Sequence, residues 1–510
     1  MRYLIGLDLG SGSIRAGAFD LNGRPARIAS RPSTSVTPDP ARPGEIVWPH
    51  RAVWATACEV LQEVIQALPA DAEIAGVAAA CLGMDGVPLD RDNTPLYDFI
   101  AWTDSRCVPY YEAWLRDFGE ARQFLTTGSP PRGFSTLFRL QWMRDHHPEI
   151  LERTRKWVLM GDFVNQRLCG ELATDYSMAA CTLLFSPGAA AWDQGIADKA
   201  GVDLGLMCAA KPAGTLLGQV TAAAAAETGL PQGTPVILGG HDYLCGALPV
   251  GGHRPGAVVN IGGTWDIIQA TLAEFTLPEA AVGTGWTVEH HVAPGQFSAF
   301  GAAIGGGVTT WFRDTFAPGM NDDSFFALAT EAAASRAALP VFLPHLAGCT
   351  GPVMDATAAG AFLGLRQSHG RTEMLAAVFE GLNLQTREIL ASAACLGLTP
   401  ERLIMVGGSA RNPGIVQSRA DALGLPVDVP GVTETTAQGA AMLAGIGAGE
   451  FADMDQAVAA MTCAMTRTEP TTDGMRRHDD RLELFRTAFA ALDPVNRRGA
   501  GDGGPELIEN

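Results

Sequence analysis

The sequence predicts an α/β protein of two domains, each with a mixed-sheet core of duplicated plan, and a cleft between them. The first observation is the length of 510 residues, which is too long for one hydrophobic core. The second is that residues 3–19 read as a strand, a glycine turn with hydroxyl side chains, and another strand. The third is that residues 256–270 repeat this plan. We place the domains at residues 1–250 and 251–495, followed by a flexible tail at residues 496–510.

The composition excludes several classes of function. A net charge of -19 at pH 7, without any basic run, argues against a nucleic-acid surface. The ten cysteines include no C-x-x-C pair and are expected to be buried thiols in a reducing compartment. The chain starts directly on a strand and has no long uninterrupted apolar segment. We therefore expect no signal peptide, no membrane span and a cytoplasmic protein.

Apolar periodicity and turn residues predict the individual elements. Short runs of small and β-branched residues indicate buried strands, whereas longer amphipathic runs indicate helices. The expected elements of the first half are strands 3–9 and 14–20, a proline-rich loop 32–49, helix 50–67, strand 74–81, a hairpin around 90–93, a largely helical segment 108–170 with breaks at 128–131 and 148, and an alanine-rich helix 213–228. Near the end of the chain we expect helices at about 453–466 and 476–492.

One stretch combines a buried strand with a reactive side chain. The apolar strand Val236–Leu238 runs into two glycines, and the next residues are His241 and Asp242. Glycines let the backbone approach a ligand, and clefts in α/β sheets open at the carboxyl ends of strands. Asp242 is therefore a candidate catalytic base acting on a hydroxyl group. The alternative is that Asp242 only caps the helix that follows, and the local sequence leaves both interpretations open.

The repeated glycine turns favour phosphate binding. Besides the two related hairpins, a weaker third copy at residues 402–412 runs from a strand into glycines and a serine. Such turns offer N–H and O–H donors without bulk, which suits phosphate oxygens. The chain has only three lysines, and none follows a glycine, so no P-loop lysine is present. Phosphate chemistry here would depend on glycine-turn donors, Mg²⁺ and a carboxylate.

Two longer segments resemble the signatures of the FGGY carbohydrate kinases, a family of the actin-like ATPase superfamily. The first segment is 134–146, in which Arg139 stands where a lysine is usual, and the second is 360–380. The resemblance covers roughly residues 1–450. It implies two actin-like (ribonuclease H-like) domains, with the sugar bound by the first and the nucleotide by the second. It also implies an ATP-dependent kinase that phosphorylates a hydroxyl of a small sugar.

The resemblance carries specific roles onto residues of this chain. Asp242 falls on the family's catalytic aspartate, and Asp8 and Asp242 are expected to lie at the Mg²⁺ site. The nucleotide is expected to contact four places in the chain. The first phosphate loop contains Ser11, Gly12, Ser13 and Arg15, and the second contains Gly263 and Thr264. A helix start contains Gly306, and the adenosine motif contains Gly408, Ser409 and Asn412. Trp265 replaces a small residue of the second loop, and segment 348–352 departs from the family's pattern.

The sugar is expected to contact the first domain. The candidate ligands are Met84, Asp85, Trp102, Asp104, His241 and Asp242. A carboxylate such as Asp85 can accept two hydroxyl hydrogen bonds, but a solvated turn is the alternative. For Trp102 the alternative to stacking on a sugar is packing in the core.

His241 and the segment 83–86 lean toward the fuculose-type branch of the family, with L-fuculose or D-xylulose as substrate. Erythritol or glycerol as substrate, or a non-catalytic actin-like ATP-binding protein, are the alternatives. The expected partners are a sugar or polyol and ATP, without nucleic acid or membrane. The oligomeric state is open between a monomer and a homodimer.

Overall fold

The computed structural model describes residues 1–335, 337–432, 434–462 and 464–499. The first half contains fourteen strands and ten helices. In chain order they are β1 (Arg2–Leu9), β2 (Ser13–Asp20), β3 (Pro25–Pro32), β4 (Val47–Trp48), α1 (His50–Gln66), β5 (Glu73–Cys81), β6 (Gly86–Leu89), β7 (Phe99–Ile100), α2 (Val108–Asp117), α3 (Glu120–Thr127), α4 (Thr136–His146), α5 (Pro148–Arg153), β8 (Lys156–Leu159), α6 (Met160–Cys169), β9 (Thr174–Asp175), α7 (Tyr176–Ala180), β10 (Phe185–Ser186), β11 (Ala191–Trp192), α8 (Gln194–Ala200), β12 (Ala210–Lys211), β13 (Leu216–Gln219), α9 (Ala222–Thr228), β14 (Pro235–His241) and α10 (Asp242–Ala247).

The second half again alternates a sheet with covering helices. Its elements are β15 (Val258–Gly262), β16 (Trp265–Leu272), β17 (Thr287–His290), β18 (Phe297–Ile304), α11 (Gly306–Phe316), α12 (Asp322–Ala334), β19 (Val341–Leu343), β20 (Cys349–Thr350), β21 (Met354–Asp355), β22 (Ala361–Leu363), α13 (Arg371–Ser392), β23 (Leu403–Gly407), α14 (Pro413–Leu423), β24 (Val427–Pro430), α15 (Thr435–Gly447), α16 (Met454–Met461), β25 (Met465–Thr468) and α17 (Thr472–Gly499). None of the described helices is both long and apolar enough to span a bilayer.

The first sheet brings two acidic positions to one edge. Its strand order is β13-β14-β5-β1-β2-β3, and β14, β5 and β1 run parallel. Asp8 on β1 pairs with Ala80 on β5, and Ala80 pairs with Gly240 on β14. Because neighbouring strands are ~4.8 Å apart, the backbones of Asp8 and Gly240 are separated by roughly 10 Å. Asp8 and Asp242 therefore belong to the same carboxyl edge.

The second sheet repeats this arrangement at its centre. Its order is β17-β18-β16-β15-β23-β24-β25, in which β15 forms a hairpin with β16 and runs parallel to β23. Gly262 at the end of β15 pairs with Gly407 at the end of β23. Two of the predicted glycine turns thus lie side by side, as the repeated pattern in the sequence indicates.

Helix α15 joins the two halves of the molecule. It belongs to the second half of the chain but packs on one face of the first sheet, against residues such as Leu4 and Ala78, while α1 and α6 cover the other face. A side chain at Gly6 would clash with the α15 backbone at Ala437, and one at Gly439 would clash with α10 at Cys245. These glycines are needed because the backbones approach closely. The start of α10 is thereby held between both halves.

Several expected elements differ in the structure. The expected hairpin around residues 90–93 is reduced to a short turn with one antiparallel bridge, Leu89 to Pro95, and β6 takes β8 as its strand partner. The segment 213–228 contains strand β13 before the short helix α9, because β13 completes the edge of the first sheet. The segment 453–466 likewise ends in strand β25. Helix α17 continues to Gly499 and so includes the start of the expected tail, whose residues 500–510 lie outside the described residues.

Candidate active site

Asp242 occupies the first helical position of α10, directly after β14. His241 holds the N-cap position, and no side chain caps this helix. The Asp242 carboxylate is 33% exposed and accepts a 2.6 Å hydrogen bond from the backbone N–H of Tyr243. Asp242 is therefore not the N-cap residue of α10, although its carboxylate satisfies the N–H of the second helical residue, Tyr243, and so assists the start of the helix. Its carboxylate remains open to a ligand on the solvent side.

Burial raises the pKa of Asp242 above its ordinary value, while the nearby His241 opposes this shift. A general base works best when its pKa approaches the pH at which it operates. Asp242 thus has the features that a carboxylate needs to activate a hydroxyl group. It lies at the end of a parallel strand, it is partly exposed, and its pKa is raised.

The side chain of His241 lies between Asp242 of the first domain and Glu289 of the second. Its Nε2 lies 3.7 Å from Oδ1 of Asp242, and its Nδ1 lies 3.6 Å from Oε1 of Glu289 on β17. The Sγ of Cys181 is 3.5 Å from the same Nδ1. Burial alone lowers the pKa of His241, but the surrounding Cys181, Glu289 and Asp242 raise it above its ordinary value. Glu289 also accepts a 2.6 Å hydrogen bond from the hydroxyl of Tyr243.

Asp8 lies in an electrostatically crowded position at the end of β1. Burial and the charges of Asp242 and Glu434 raise its pKa to about 7, against the opposing charge of Arg15. Arg15 Nη1 is 3.3 Å from Asp8, and its Nε is 3.5 Å from Glu434 at the start of α15. Glu434 is absent from the set of residues expected from the sequence. An oxygen-rich, negatively charged donor set of this kind suits Mg²⁺.

The first glycine turn, at residues 10–13, is open to solvent at its tip. Gly12 is exposed, whereas Ser11 and Ser13 are half-buried. The backbone N–H of Gly10 donates to the Ser13 carbonyl, and Ser33 closes the turn through the carbonyls of Gly10 and Gly12. The turn thus has the exposure that a phosphate loop needs.

Two of the expected sugar ligands, Asp85 and Asp104, are buried and contact other residues of the first domain. Asp85 is fully buried, with Oδ1 2.8 Å from Nη2 of Arg139 and Oδ2 accepting from the Trp48 indole and the Trp102 backbone. Asp104 is likewise buried and holds the Arg106 guanidinium and the Ile46 backbone N–H. These contacts favour positioning roles, Asp85 for the backbone of Trp102 and Asp104 for the loop before β4, while direct sugar binding by either carboxylate stays a prediction.

Met84 and Trp102 are half-buried, and the loop that carries Met84 faces His241. A Cβ atom at Gly83 would come within 3.2 Å of His241 Nε2 and Cys181 Sγ. The carbonyl of Met84 accepts hydrogen bonds from Thr136 and Arg139. The turn at Gly83 and Met84 therefore lies next to His241, whereas Trp102 rests edge-on against Phe134.

The second half contains a cavity of about 410 Å³ at the carboxyl edge of its sheet. Most of the expected nucleotide residues of this half line it, namely Gly263, Gly306, Gly408, Ser409 and Asn412. Thr264 is exposed on the adjoining turn, and its carbonyl accepts from the backbone N–H groups of Gly305 and Gly307. Gly306 cannot carry a side chain, because a Cβ atom there would clash with the carbonyl of Gly263.

The walls of the cavity combine the expected residue Asn412 with residues that the sequence did not indicate. Asn412 uses its side chain to cap α14 and to bind Thr330, so it shapes the wall more than it offers free donors. An ion pair of 3.0 Å joins the buried Arg419 and Asp266 in the lining. Phe326 lines the cavity while remaining 49% exposed. Two adjacent phenylalanines at 325–326, within an otherwise alanine-rich segment, are the signal that could have indicated an apolar wall.

Two protein-family models match the chain. Residues 3–249 match the N-terminal domain of the FGGY family of carbohydrate kinases, and residues 258–448 match the C-terminal domain of that family. The two matches follow each other in the order and at the positions of the two sheets described above.

Individual relatives give the same result. An autoinducer-2 kinase from Klebsiella pneumoniae is 29% identical over 506 residues, which covers 96% of this chain and 94% of the relative. An autoinducer-2 kinase from Escherichia coli is 31% identical over 480 residues, with coverages of 89% and 87%. The solved structure of xylulose kinase from Rhodospirillum rubrum superposes with a TM-score of 0.89 at 27% identity, covering 98% and 100% of the two chains. Glycerol kinase from Plasmodium falciparum with ADP shares the fold, with a TM-score of 0.85 at 16% identity and coverages of 96% and 98%. The expected two-domain α/β fold is confirmed.

Proposed function

Since the chain belongs to the FGGY family of carbohydrate kinases, we propose that it transfers the γ-phosphate of ATP to one hydroxyl group of a small sugar, with Asp242 as the general base. The observation that carries this proposal is the position of Asp242, whose carboxylate is partly exposed directly after β14 and is not the N-cap of α10. The resemblance to the family, stated from the sequence, is confirmed, as is the classification as a kinase.

Phosphoryl transfer needs a hydroxyl in line with the γ-phosphorus and neutralisation of the charge on the transferring group. Asp242 would accept the hydroxyl proton as the oxygen attacks phosphorus. General bases of this kind contribute roughly 10²–10⁴-fold to the rate. The imidazole of His241, 3.7 Å from Asp242, would orient the carboxylate or contact a sugar hydroxyl.

The glycine turns would hold the nucleotide. Ser11, Gly12, Ser13 and Arg15 would contact the phosphates from the first domain. The cavity of the second domain would hold the remainder of the nucleotide, for which its volume and its glycine lining are the support. Asp8 and Asp242 would hold Mg²⁺, for which their oxygen donors and the excess negative charge around Asp8 are suited. When bound, this cation supplies positive charge next to the phosphate oxygens. Glu434 lies close enough to raise the pKa of Asp8 and is a further candidate for this position.

The substrate is best sought among short sugars with a free terminal hydroxyl. The relatives named above are autoinducer-2 kinases, and a similar solved structure is a xylulose kinase. Autoinducer-2 is therefore a second candidate substrate beside ketoses such as L-fuculose and D-xylulose. His241 next to the proposed base would contact either kind of compound.

A coupled assay of ADP release tests both parts of the proposal. The panel contains autoinducer-2, L-fuculose, L-rhamnulose, D-xylulose, D-ribulose, erythritol and glycerol. We expect the wild type to release ADP faster with one compound than with the others. With that compound, we expect Asp242→Asn to lose at least ~10²-fold in kcat. The control is Glu274→Gln, which changes an exposed carboxylate elsewhere. Absence of sugar-dependent ADP release across the panel would contradict the activity, and a wild-type rate for Asp242→Asn would contradict the role of the base.

A further inference from the structure

A cluster of three metal-binding side chains lies beside the proposed base. The ligand atoms of Cys181, His241 and Glu289 all lie within 4.8 Å of one another. The distances are 3.5 Å from Cys181 Sγ to His241 Nδ1 and 3.6 Å from that nitrogen to Glu289 Oε1. Zinc binds sulfur at about 2.3 Å and nitrogen or oxygen at about 2.0–2.2 Å, in tetrahedral geometry. Ligand atoms around one such ion are separated by distances close to those found here.

The carboxylate of Glu289 has unused binding capacity. Its residue is 1% exposed, and its Oε2 has no hydrogen-bond partner among the described residues. A buried carboxylate oxygen without a partner is costly, since it loses its water without compensation. Binding of a cation by this group would remove that cost.

The charges of the cluster also balance around a divalent ion. A cysteine thiolate and a carboxylate together carry two negative charges, and a neutral imidazole adds none, so a complex with Zn²⁺ is uncharged. An uncharged complex is the least costly one in a buried position. Metal binding releases to solvent the protons that the Cys181 thiol and the His241 imidazole carry in the absence of the ion.

We propose that Cys181, His241 and Glu289 form a site for a thiophilic divalent cation, of which Zn²⁺ is the representative. Cys181 and His241 belong to the first domain, and Glu289 belongs to strand β17 of the second. Occupancy therefore ties the two domains together at the cleft, which restricts their opening and closing, and it holds the His241 ring through Nδ1 while Nε2 stays beside Asp242. The bound cation inhibits the kinase. This inhibition rests on the proposed function, whereas binding of the cation does not depend on it.

Binding is tested with Co²⁺, whose ligand-to-metal charge-transfer absorption reports a cysteine thiolate. The full-length protein is first freed of metal with a chelator and is then titrated with Co²⁺, followed by displacement with Zn²⁺. We expect a thiolate band in the wild type, its loss in Cys181→Ala, and at least ~10-fold weaker binding in Glu289→Gln. Cys169→Ala is the matched control, since Cys169 is also a half-buried cysteine of the first domain. A band that persists in Cys181→Ala, or no band in the wild type, overturns the site.

Inhibition is tested separately in the ADP-release assay with Mg²⁺ in large excess. We expect Zn²⁺ to inhibit the wild type and Cys169→Ala, a chelator to restore their activity, and Cys181→Ala to need at least ~10-fold more Zn²⁺. Equal sensitivity of Cys181→Ala and the wild type would assign inhibition to the Asp8 and Asp242 carboxylates and overturn the regulatory part. Because the Co²⁺ titration needs neither sugar nor ATP, failure of the metal site is distinguishable from failure of the proposed function.

Discussion

The hydroxyl of Ser177 accepts a 3.0 Å hydrogen bond from the backbone N–H of His241 and donates one of 2.8 Å to Oδ2 of Asp175. Ser177 is fully buried at the start of α7, and Asp175 caps that helix. The two residues therefore fix the end of β14 to a second element. The direction in which Asp242 enters the cleft depends on this fixed point.

We expect Ser177→Ala to lower kcat by about 10-fold or more, because misplacement of a reacting group by a fraction of an ångström reduces the rate strongly. The change leaves a buried N–H without a partner, which costs about 1–3 kcal/mol of stability. Steady-state kinetics and urea unfolding measure the two effects. Ser186→Ala, in the nearby strand β10, is the control. An unchanged kcat in a destabilised Ser177→Ala would show that the bond only stabilises the fold.

The Asp85–Arg139 ion pair is predicted to stabilise the first domain, not to bind sugar. Both residues are at most 1% exposed, and Arg139 also donates to the carbonyl of Met84. Removal of one partner leaves an unpaired buried charge, which costs about 3–5 kcal/mol. We therefore expect Arg139→Met to lower the free energy of unfolding by about that amount, measured by urea denaturation.

The matched variant is Arg139→Lys, which restores the residue usual in the family and keeps the charge. It loses the fork of donors that spans Asp85 and Met84. We expect a loss of about 1–2 kcal/mol, between the wild type and Arg139→Met. Equal unfolding free energies for wild type and Arg139→Met would contradict the structural role of the pair.

The sequence predicted those parts of the fold that local patterns specify. The hairpins β1–β2 and β15–β16 and the glycine turn before Asp242 each depend on a few neighbouring residues. The pairing of β6 with β8 could not be found in this way, because the partner strand follows after four helices. In the same way, position within a motif indicated Asp85 as a ligand but could not reveal that Arg139 reaches it from α4. Arg419 and Asp266, 153 positions apart, are a pair that only the folded chain brings together.

Phe326 is predicted to contribute to nucleotide binding without contributing to stability. Its side chain lines the 410 Å³ cavity yet stays 49% exposed, so the fold gains little from it. Stacking of an aromatic ring on a nucleic-acid base contributes about 1–3 kcal/mol. We expect Phe326→Ala to raise KM for ATP by about 5- to 150-fold at nearly constant kcat and Tm.

The control for this variant is Leu365→Ala, which truncates an equally exposed apolar residue (52%) outside the cavity lining. It is expected to leave KM for ATP unchanged. Initial rates with ATP varied at saturating sugar measure both variants. If Phe326→Ala and Leu365→Ala have the same KM for ATP, the aromatic ring does not contact the nucleotide.

His345 is predicted to make the protein less stable in mildly acidic solution. Burial beside Phe489 lowers the pKa of His345 to about 4, only partly opposed by Asp355. The unfolded chain binds a proton at this histidine below its ordinary pKa of about 6.5, whereas the folded protein does not until about pH 4. The contribution to stability is therefore fully present above pH ~6.5 and is lost as the pH falls toward 4. At about pH 5 the loss amounts to about 2 kcal/mol relative to about pH 7.5.

The comparison that isolates this effect is His345→Gln, which keeps a polar side chain of similar size but cannot titrate. Urea unfolding of both proteins at about pH 7.5 and about pH 5 gives two differences in unfolding free energy. Other titrating groups contribute equally to both proteins, so the difference between these differences belongs to His345. We expect the wild type to lose about 2 kcal/mol more than the variant on acidification. Equal losses would mean that His345 binds its proton as readily in the folded protein as in the unfolded chain.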